Sequence, residues 1–347
     1  MNNKRNPYPV ERQTQTAAEK AVCTLSSLLT AEKRCHRNVG YKNSVAKFDM
    51  LALSKCYDLR CELVEGRYKT TLGQLFEIYY PKYRIVRSTK FKDRIPQASF
   101  VLNYYYPEVI TKLLPENCAC IKGRGVDMAR GIFKDLLRSV SQDDYCLKAD
   151  IKSFFASIDH EKLFGFMNER FIKDEWAMRF YRNVINSNEQ KIGIDLGSEV
   201  DQLSATTFLH PVDEYFAGKK YIRYADDIVF FGTKTECIDA LAALKDILGS
   251  AGLRLSDKKT FMQPISRPVA FLGFTYLRRS TGRITMKRIR SKVKAERRKL
   301  AKLKALPYER LKAHVDSVRS MMKKGNRSDY LEFIKLTNKY LKEAQNA

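Results

Sequence analysis

Residues 220–231, Lys220-Tyr221-Ile222-Arg223-Tyr224-Ala225-Asp226-Asp227-Ile228-Val229-Phe230-Phe231, place two adjacent carboxylates in the middle of an otherwise apolar run. The apolar segments on either side predict two short strands joined by a tight polar turn. Negative charge in such a setting is costly to bury unless something neutralises it. A divalent cation is the natural candidate, and hard carboxylate oxygens suit Mg²⁺. Taken alone, the pair also fits an ordinary Asp-Asp turn. About seventy-five residues upstream, however, Asp150 ends a similar predicted strand in L-K-A-D-I-K-S-F-F-A-S-I-D-H. A second isolated acid at a strand end is what a two-metal site requires. Spacing alone leaves open whether Asp150 and Asp226 meet.

Outward from these two segments, strands and helices interleave. Tyr145 to Phe155 reads as a strand leading to a turn, and Ser157 to Met167 as a helix with Asp159 near its start. Helical spacing recurs over about 96–114, 125–141, 174–187 and 200–216, and from Thr235 to the stop at Gly252. After it, F-L-G-F-T-Y-L-R-R-S-T-G-R-I-T-M predicts a hairpin turning at Ser280-Thr281-Gly282. Ala21 to about Glu65 is helical in pattern, with Gly66 as its C-terminal stop. Between Tyr68 and Arg94 apolar and basic residues alternate, which predicts strands with one face toward phosphate. The last sixty residues are helical, and residues 1 to about 20 are polar without periodicity. Strands joined both by helices and by hairpins give an α+β fold rather than a doubly wound parallel sheet.

The chain of 347 residues carries 64 Lys+Arg against 39 Asp+Glu, a net charge of +25, which favours long polyanions over small acidic metabolites. Its 44% hydrophobic content excludes disorder for the bulk of the chain. No run of eighteen apolar residues and no secretory h-region is present, so the expected location is the cytoplasm, with no membrane partner. Eight cysteines lack a C-x-x-C pair and four histidines lack zinc-finger spacing, so the cysteines read as reduced thiols.

These segments together resemble a reverse transcriptase of the bacterial kind. Y-A-D-D is similar to the family's catalytic hairpin, and K-A-D-I-K-S-F-F-A-S-I-D-H to its first acidic motif. G-L-R-L-S-D-K-K-T resembles the segment after the hairpin, F-L-G-F the primer-grip region, and K-F-K-D-R-I-P-Q with C-A-C-I-K-G-R-G-V-D-M-A-R the fingers motifs. The resemblance covers about residues 40 to 300. It implies a right-hand polymerase: a helical N-terminal leader (1–67), fingers (68–144), a palm (145–285) with part of the fingers inserted at about 160–218, and a short helical basic thumb (286–347).

The resemblance also assigns roles. Asp150, Asp226 and Asp227 would be catalytic, and with Ile151 would hold two Mg²⁺ ions, Mn²⁺ being the alternative. Two such ions activate a 3′-hydroxyl and stabilise departing pyrophosphate. Phe155 falls where the family places the aromatic gate against a ribose 2′-hydroxyl. Lys82, Arg84, Gly197, Gln202 and Lys258 would contact the nucleotide, with Lys259 as the other candidate for the last of these. Lys92, Arg94, Lys122 and Arg124 would contact nucleic acid. So would Arg290, Lys294, Arg297 and Arg298, in a tract with a base at more than half its positions. The chain departs from the family at Leu196-Gly197-Ser198-Glu199-Val200-Asp201-Gln202, where the usual Gln-Gly, three residues, Ser-Pro has lost its glutamine and its proline. Gln at 202 is similar to reverse transcriptases of diversity-generating retroelements and to the unknown-group enzymes of bacterial defence. C-H-R-N-V-G-Y-K-N-S-V-A-K-F and N-C-A-C-I-K-G-R-G are closer to the latter.

The expected function is cDNA synthesis from dNTPs on a dedicated structured non-coding RNA, in antiviral defence. An accessory protein or a second copy of the chain is a further partner candidate. Two alternatives stand beside it: an error-prone diversity-generating enzyme, and a non-catalytic RNA-binding protein on the same fold.

Overall fold

The computed structural model describes residues 15–79, 83–303, 307–325 and 327–345. Most of the expected polar N-terminal stretch lies outside them. The leader forms α1 (Ala17–Val22), α2 (Leu25–His36), α3 (Asn43–Asp49) and α4 (Ala52–Val64), with Gly66 at φ +71° after the last turn. Thr16 and Thr24 cap α1 and α2. A β-hairpin, β1 (Gln74–Ile78) and β2 (Arg84–Ser88), follows. It is succeeded by α5 (Phe91–Phe100), a π-helical turn, α6 (Tyr106–Glu108) and α7 (Val126–Ser139). β3 (Tyr145–Asp150) leads to α8 (Phe154–Ser157), α9 (His160–Arg170), α10 (Glu175–Ile185), α11 (Glu199–Phe208) and α12 (His210–Phe216). The pair β4 (Tyr221–Tyr224) and β5 (Asp227–Gly232) comes next, then α13 (Lys234–Ser250) and β6 (Phe261–Pro264). A meander, β7 (Val269–Phe271), β8 (Phe274–Arg278) and β9 (Ile284–Arg288), precedes the basic helix α14 (Arg290–Leu303), α15 (Tyr308–Lys323) and α16 (Arg327–Gln345).

The central sheet has the order β4-β5-β3-β6 and is antiparallel throughout, which agrees with an α+β architecture. Both faces are covered, and the period of two along a strand explains why Ile228-Val229-Phe230-Phe231 is continuously apolar. Ile228 and Phe230 join the main core with Leu244 and Leu248 of α13, while Val229 and Phe231 face Ala129 and Phe133 of α7. The second core continues into the meander, where the Phe133 ring lies 4.7 Å from both Phe271 and Tyr276. Asp174 ties the leader to the rest: it caps α10 and accepts from Thr16 Oγ1 at 2.9 Å and Ala18 N at 3.1 Å.

The last three helices share a small core of their own, Leu300, Leu311, Val315, Val318, Met322 and Phe333. The strand expected to lead from Tyr145 into a turn ends at Asp150; Ser153 turns left-handed (φ +48°) and residues 154–157 form a helical turn that carries Phe155. β9 spans residues 284–288. Strand β6 has no counterpart in the sequence reading: Phe261-Met262-Gln263-Pro264 is a short edge strand carrying a proline, a pattern that argues against a strand.

Candidate active site

Tyr224 and Asp227 form the last pair of the β4–β5 ladder, so Ala225 and Asp226 alone make the connection. A two-residue hairpin needs a left-handed residue, and Ala225 supplies it at φ +54°, a cost of roughly 1–2 kcal/mol for a residue with a Cβ. Arg223 offsets that strain. Its guanidinium is wholly buried and donates from Nη1 to the Ala225 carbonyl at 3.1 Å and from Nη2 to the Thr206 carbonyl at 3.1 Å. Nε and Nη2 grip the buried Asp213 carboxylate at 2.8 and 2.5 Å, and Tyr221 Oη donates to the same carboxylate at 2.8 Å. The acidic turn is thereby pinned to α11 and α12. Neither Arg223 nor Asp213 was singled out from sequence.

Asp150 stands directly opposite Asp227 in the β3–β5 register, so the three aspartates gather at one end of the sheet. Burial pushes the carboxyl groups of Asp226 and Asp227 above the usual carboxylate range. The nearby charge of Asp150 adds to the rise at both. Two ammonium groups oppose it. Lys148 Nζ lies 3.2 Å from Asp227 Oδ1 and donates to the Ala270 carbonyl at 2.7 Å. Lys259 Nζ reaches both oxygens of Asp150 at 2.7 and 2.9 Å. Lys148 went unnoticed in the sequence although it lies two residues before Asp150, on the same face of the strand.

Among the described residues no group of three or more His, Cys, Asp or Glu side chains is gathered tightly enough to hold a metal ion. The donor chemistry nevertheless fits Mg²⁺. The oxygens are hard, the charge is concentrated, and Asp227 Oδ1 is buried with the Lys148 ammonium 3.2 Å away. Ile151 continues β3 as a bridge to Leu255, and the Asp150 carbonyl accepts from Ser256 N at 2.8 Å.

The remaining candidates fall into three groups. Arg84 is exposed on β2 yet close enough to Asp226 to oppose the rise in its pKa, and Phe155 is half-buried, edge-on to the buried Phe154 at 5.3 Å. Lys92, Lys122, Arg290, Lys294 and Arg298 are exposed and free to meet a polyanion. Others make bonds within the chain or lie elsewhere. The Arg124 guanidinium donates to the carbonyls of Leu113, Leu114 and Asn117, which makes it a brace for its own loop. Arg297 pairs with Glu332 at 2.9 Å. Lys258 is exposed and it is Lys259 that reaches Asp150. A Cβ at Gly197 would sit 1.9 Å from the Arg87 carbonyl, so the close approach that demands glycine is to β2. Gln202 Nε2 donates to the Leu196 carbonyl at 2.7 Å, closing the loop that lacks the usual proline. Arg94 lines a separate cavity. Lys82 lies outside the described residues.

Beside Asp227 a cavity of about 390 Å³ opens between Lys148, Arg130, Lys292 and the Leu272-Gly273 turn. Arg130 Nη2 donates to the Leu272 carbonyl at 2.7 Å, and its guanidinium lies 4.5 Å from the Phe274 ring centre. Burial, together with Arg288, Lys148 and Arg130, pushes the Lys292 ammonium below its ordinary pKa. Such a cluster of like charge favours an anion.

Residues 80–276, more than half of the chain, match the reverse transcriptase (RNA-dependent DNA polymerase) family. No curated protein matches the chain. Among solved structures it is similar to telomerase from Candida albicans in complex with a fragment of telomeric RNA, at TM-score 0.44 and 12% identity, over 78% of this chain and 56% of that one. It is similar also to apo telomerase from Candida tropicalis, at TM-score 0.44 and 12% identity, over 80% and 58%. The chain thus spans less than two thirds of either telomerase. No described helix is long and apolar enough to cross a membrane.

Proposed function

The chain belongs to the reverse transcriptase family, and on that premise we propose that it is an RNA-directed DNA polymerase whose nucleotidyl transfer is carried out at Asp150, Asp226 and Asp227. The observation that carries this reading is the register that sets Asp150 against Asp227 beside a turn pinned by Arg223. Asp150, Asp226 and the main chain at Ile151 would hold Mg²⁺, which when bound supplies charge neutralisation at the attacking hydroxyl and the departing pyrophosphate. The chain's own residues do the positioning. Arg223 holds the Ala225 carbonyl and so fixes where Asp226 projects; Lys148 orients Asp227; Arg84 meets the triphosphate from the β1–β2 hairpin. The cations around the Leu272-Gly273 turn fit the last phosphates of a primer strand. In this reading the leader occupies 1–67, the fingers comprise β1–β2 and the helices around them, the palm is the central sheet with the meander, and α14–α16 are the thumb.

The template we assign is a dedicated structured RNA, held by the exposed bases of α14, and the role is antiviral defence, supported by the segments around Cys35 and around Cys118 and Cys120 quoted above. A diversity-generating role would instead require a small basic accessory protein and a variable target gene. The test is dNTP incorporation on a primed RNA template. Asp226→Asn with Asp227→Asn should abolish incorporation, by more than about a thousandfold, while RNA binding in a filter assay stays within about twofold, since carboxylates serve chemistry and bases serve grip. Incorporation near wild type would refute the site. Phe155→Ala should raise ribonucleotide use relative to deoxyribonucleotide, and an unchanged sugar preference would return Phe155 to the core.

A further inference from the structure

The β1–β2 hairpin is a two-stranded sheet that forms no ladder with the central sheet, and such a hairpin is marginal without further support. Apolar packing gives it little: Leu75, Phe76 and Ile85 are exposed, and Val86 is the one buried residue of the two strands. What orients it is charge. Arg87, near the end of β2, donates from Nη1 to the Gly73 carbonyl at 3.2 Å, which closes the base of the hairpin, and its Nε stands 3.2 Å from Asp195 Oδ2. The two side chains are only 14% and 24% exposed, so the pair is largely shielded from salt. Asp195 lies in the stretch that leads to α11, and that stretch is tied on its other side to the segment after β3. Ile194 N donates to the Phe155 carbonyl at 3.0 Å and Gly193 N to the Ile158 carbonyl at 2.8 Å. Contacts therefore run from the strand that ends at Asp150, through residues 193–195, to Arg87. The close fit of Gly197 on the Arg87 carbonyl stops β2 from moving toward this stretch, and the ion pair stops it from moving away. Arg84, three residues back along β2, leaves the opposite face of the strand, and its charge reaches Asp226.

We propose that Asp195 is a positioning residue for the incoming nucleotide: through Arg87 it sets how far Arg84 stands from the aspartate turn. The inference rests on the reading in which Arg84 meets the triphosphate, and it adds the group that places Arg84. Neither Asp195 nor Arg87 touches substrate. A two-stranded ribbon freed at its base pivots, and the Arg84 guanidinium must then be ordered at each binding event. That cost falls on the bound substrate and on the transition state alike, so its signature is a higher KM for dNTP at nearly unchanged kcat. A merely structural role leaves a different mark, because a fraction of unfolded molecules lowers apparent kcat and leaves KM alone.

Steady-state dNTP incorporation on a primed RNA template is measured for the full chain, for Arg84→Ala, for Asp195→Ala and for the two changes together. Arg84→Ala tests the underlying reading and should raise the dNTP KM roughly tenfold, as expected for one charge-assisted hydrogen bond. Asp195→Ala should raise it about five- to tenfold with kcat within about twofold. The double variant should be no worse than Arg84→Ala, because both changes remove the same contact. Arg87→Gln reaches the joint from its other side; it should match Asp195→Ala, and it takes the place of that variant where the latter does not fold. An unchanged KM in Asp195→Ala or Arg87→Gln, a fall in kcat without a rise in KM, or KM effects that multiply in the double variant would overturn the proposal and leave Arg84 its role. A wild-type KM in Arg84→Ala would instead remove the role of Arg84, and the proposal with it.

Discussion

Arg223 in the central sheet and the arginines of α14 carry the same side chain to opposite ends. Arg223 is wholly buried, its charge met by Asp213 and its remaining donors by two carbonyls, so it acts only on the groups it touches. Arg290 and Arg298 stand exposed and act on whatever anion approaches. Enclosed charge fixes geometry; open charge sets a field that salt can screen. The two can be separated experimentally, since each should respond to a perturbation that leaves the other untouched.

The largest effect is expected in the sheet. Asp213→Leu strands a buried guanidinium and should cost about 3–5 kcal/mol of stability in urea unfolding. Pairing it with Arg223→Met removes the orphaned charge and should recover most of that loss. Incorporation should stay depressed in the double variant, because the Ala225 carbonyl has lost its donor. A double variant that regains full activity would mean that the turn holds itself.

On α14, Arg290→Gln with Lys294→Gln and Arg298→Gln should leave stability within about 0.5 kcal/mol. The slope of log RNA affinity against log salt should flatten by roughly two to three units. Arg297 is spared because it bonds Glu332. An unchanged slope would make α14 a merely solvated face and break the contrast.

The smallest effect concerns enclosed charge of the wrong sign. The Asp226 carboxyl sits above its ordinary pKa, chiefly through burial, so the folded state holds its proton more tightly than the unfolded chain. Below the usual carboxylate pKa, about 4, both states are protonated and Asp226→Asn should be neutral. As pH rises through the raised pKa the wild type pays for burying the charge, and the variant should become the more thermally stable. Mg²⁺ at millimolar concentration should narrow the gap. A variant less stable than wild type at pH 7 in EDTA would reverse the sign.

Much of this was legible in the chain itself. Tyr224–Asp227, Asp150 and the capping residue Asp159 were placed by alternation and turn chemistry, and the structure seats them in a hairpin, a strand end and an N-cap. What escaped was what depends on partners distant in sequence. Arg124 reads as a basic residue in a glycine-rich loop, and only the fold reveals three carbonyls around it. Gly197 reads as an approach to a ligand, and only the β1–β2 hairpin shows whose backbone approaches. Lys258 and Lys259 cannot be told apart until the chain between α13 and β6 sets one of them over Asp150.

The pairing of Asp150 with Asp227 also bears on how faithfully the protein is made. Side chains alternate faces along a strand, so a slip of one residue between β3 and β5 would send these carboxylates to opposite sides of the sheet. Such a molecule would keep its strands, much of its helix and a similar circular dichroism, yet Asp150 and Asp227 would no longer share a face. Catalytic turnover in a preparation is therefore a count of correctly registered molecules, and the specific activity of refolded protein reports an error that spectroscopy of its secondary structure would pass over.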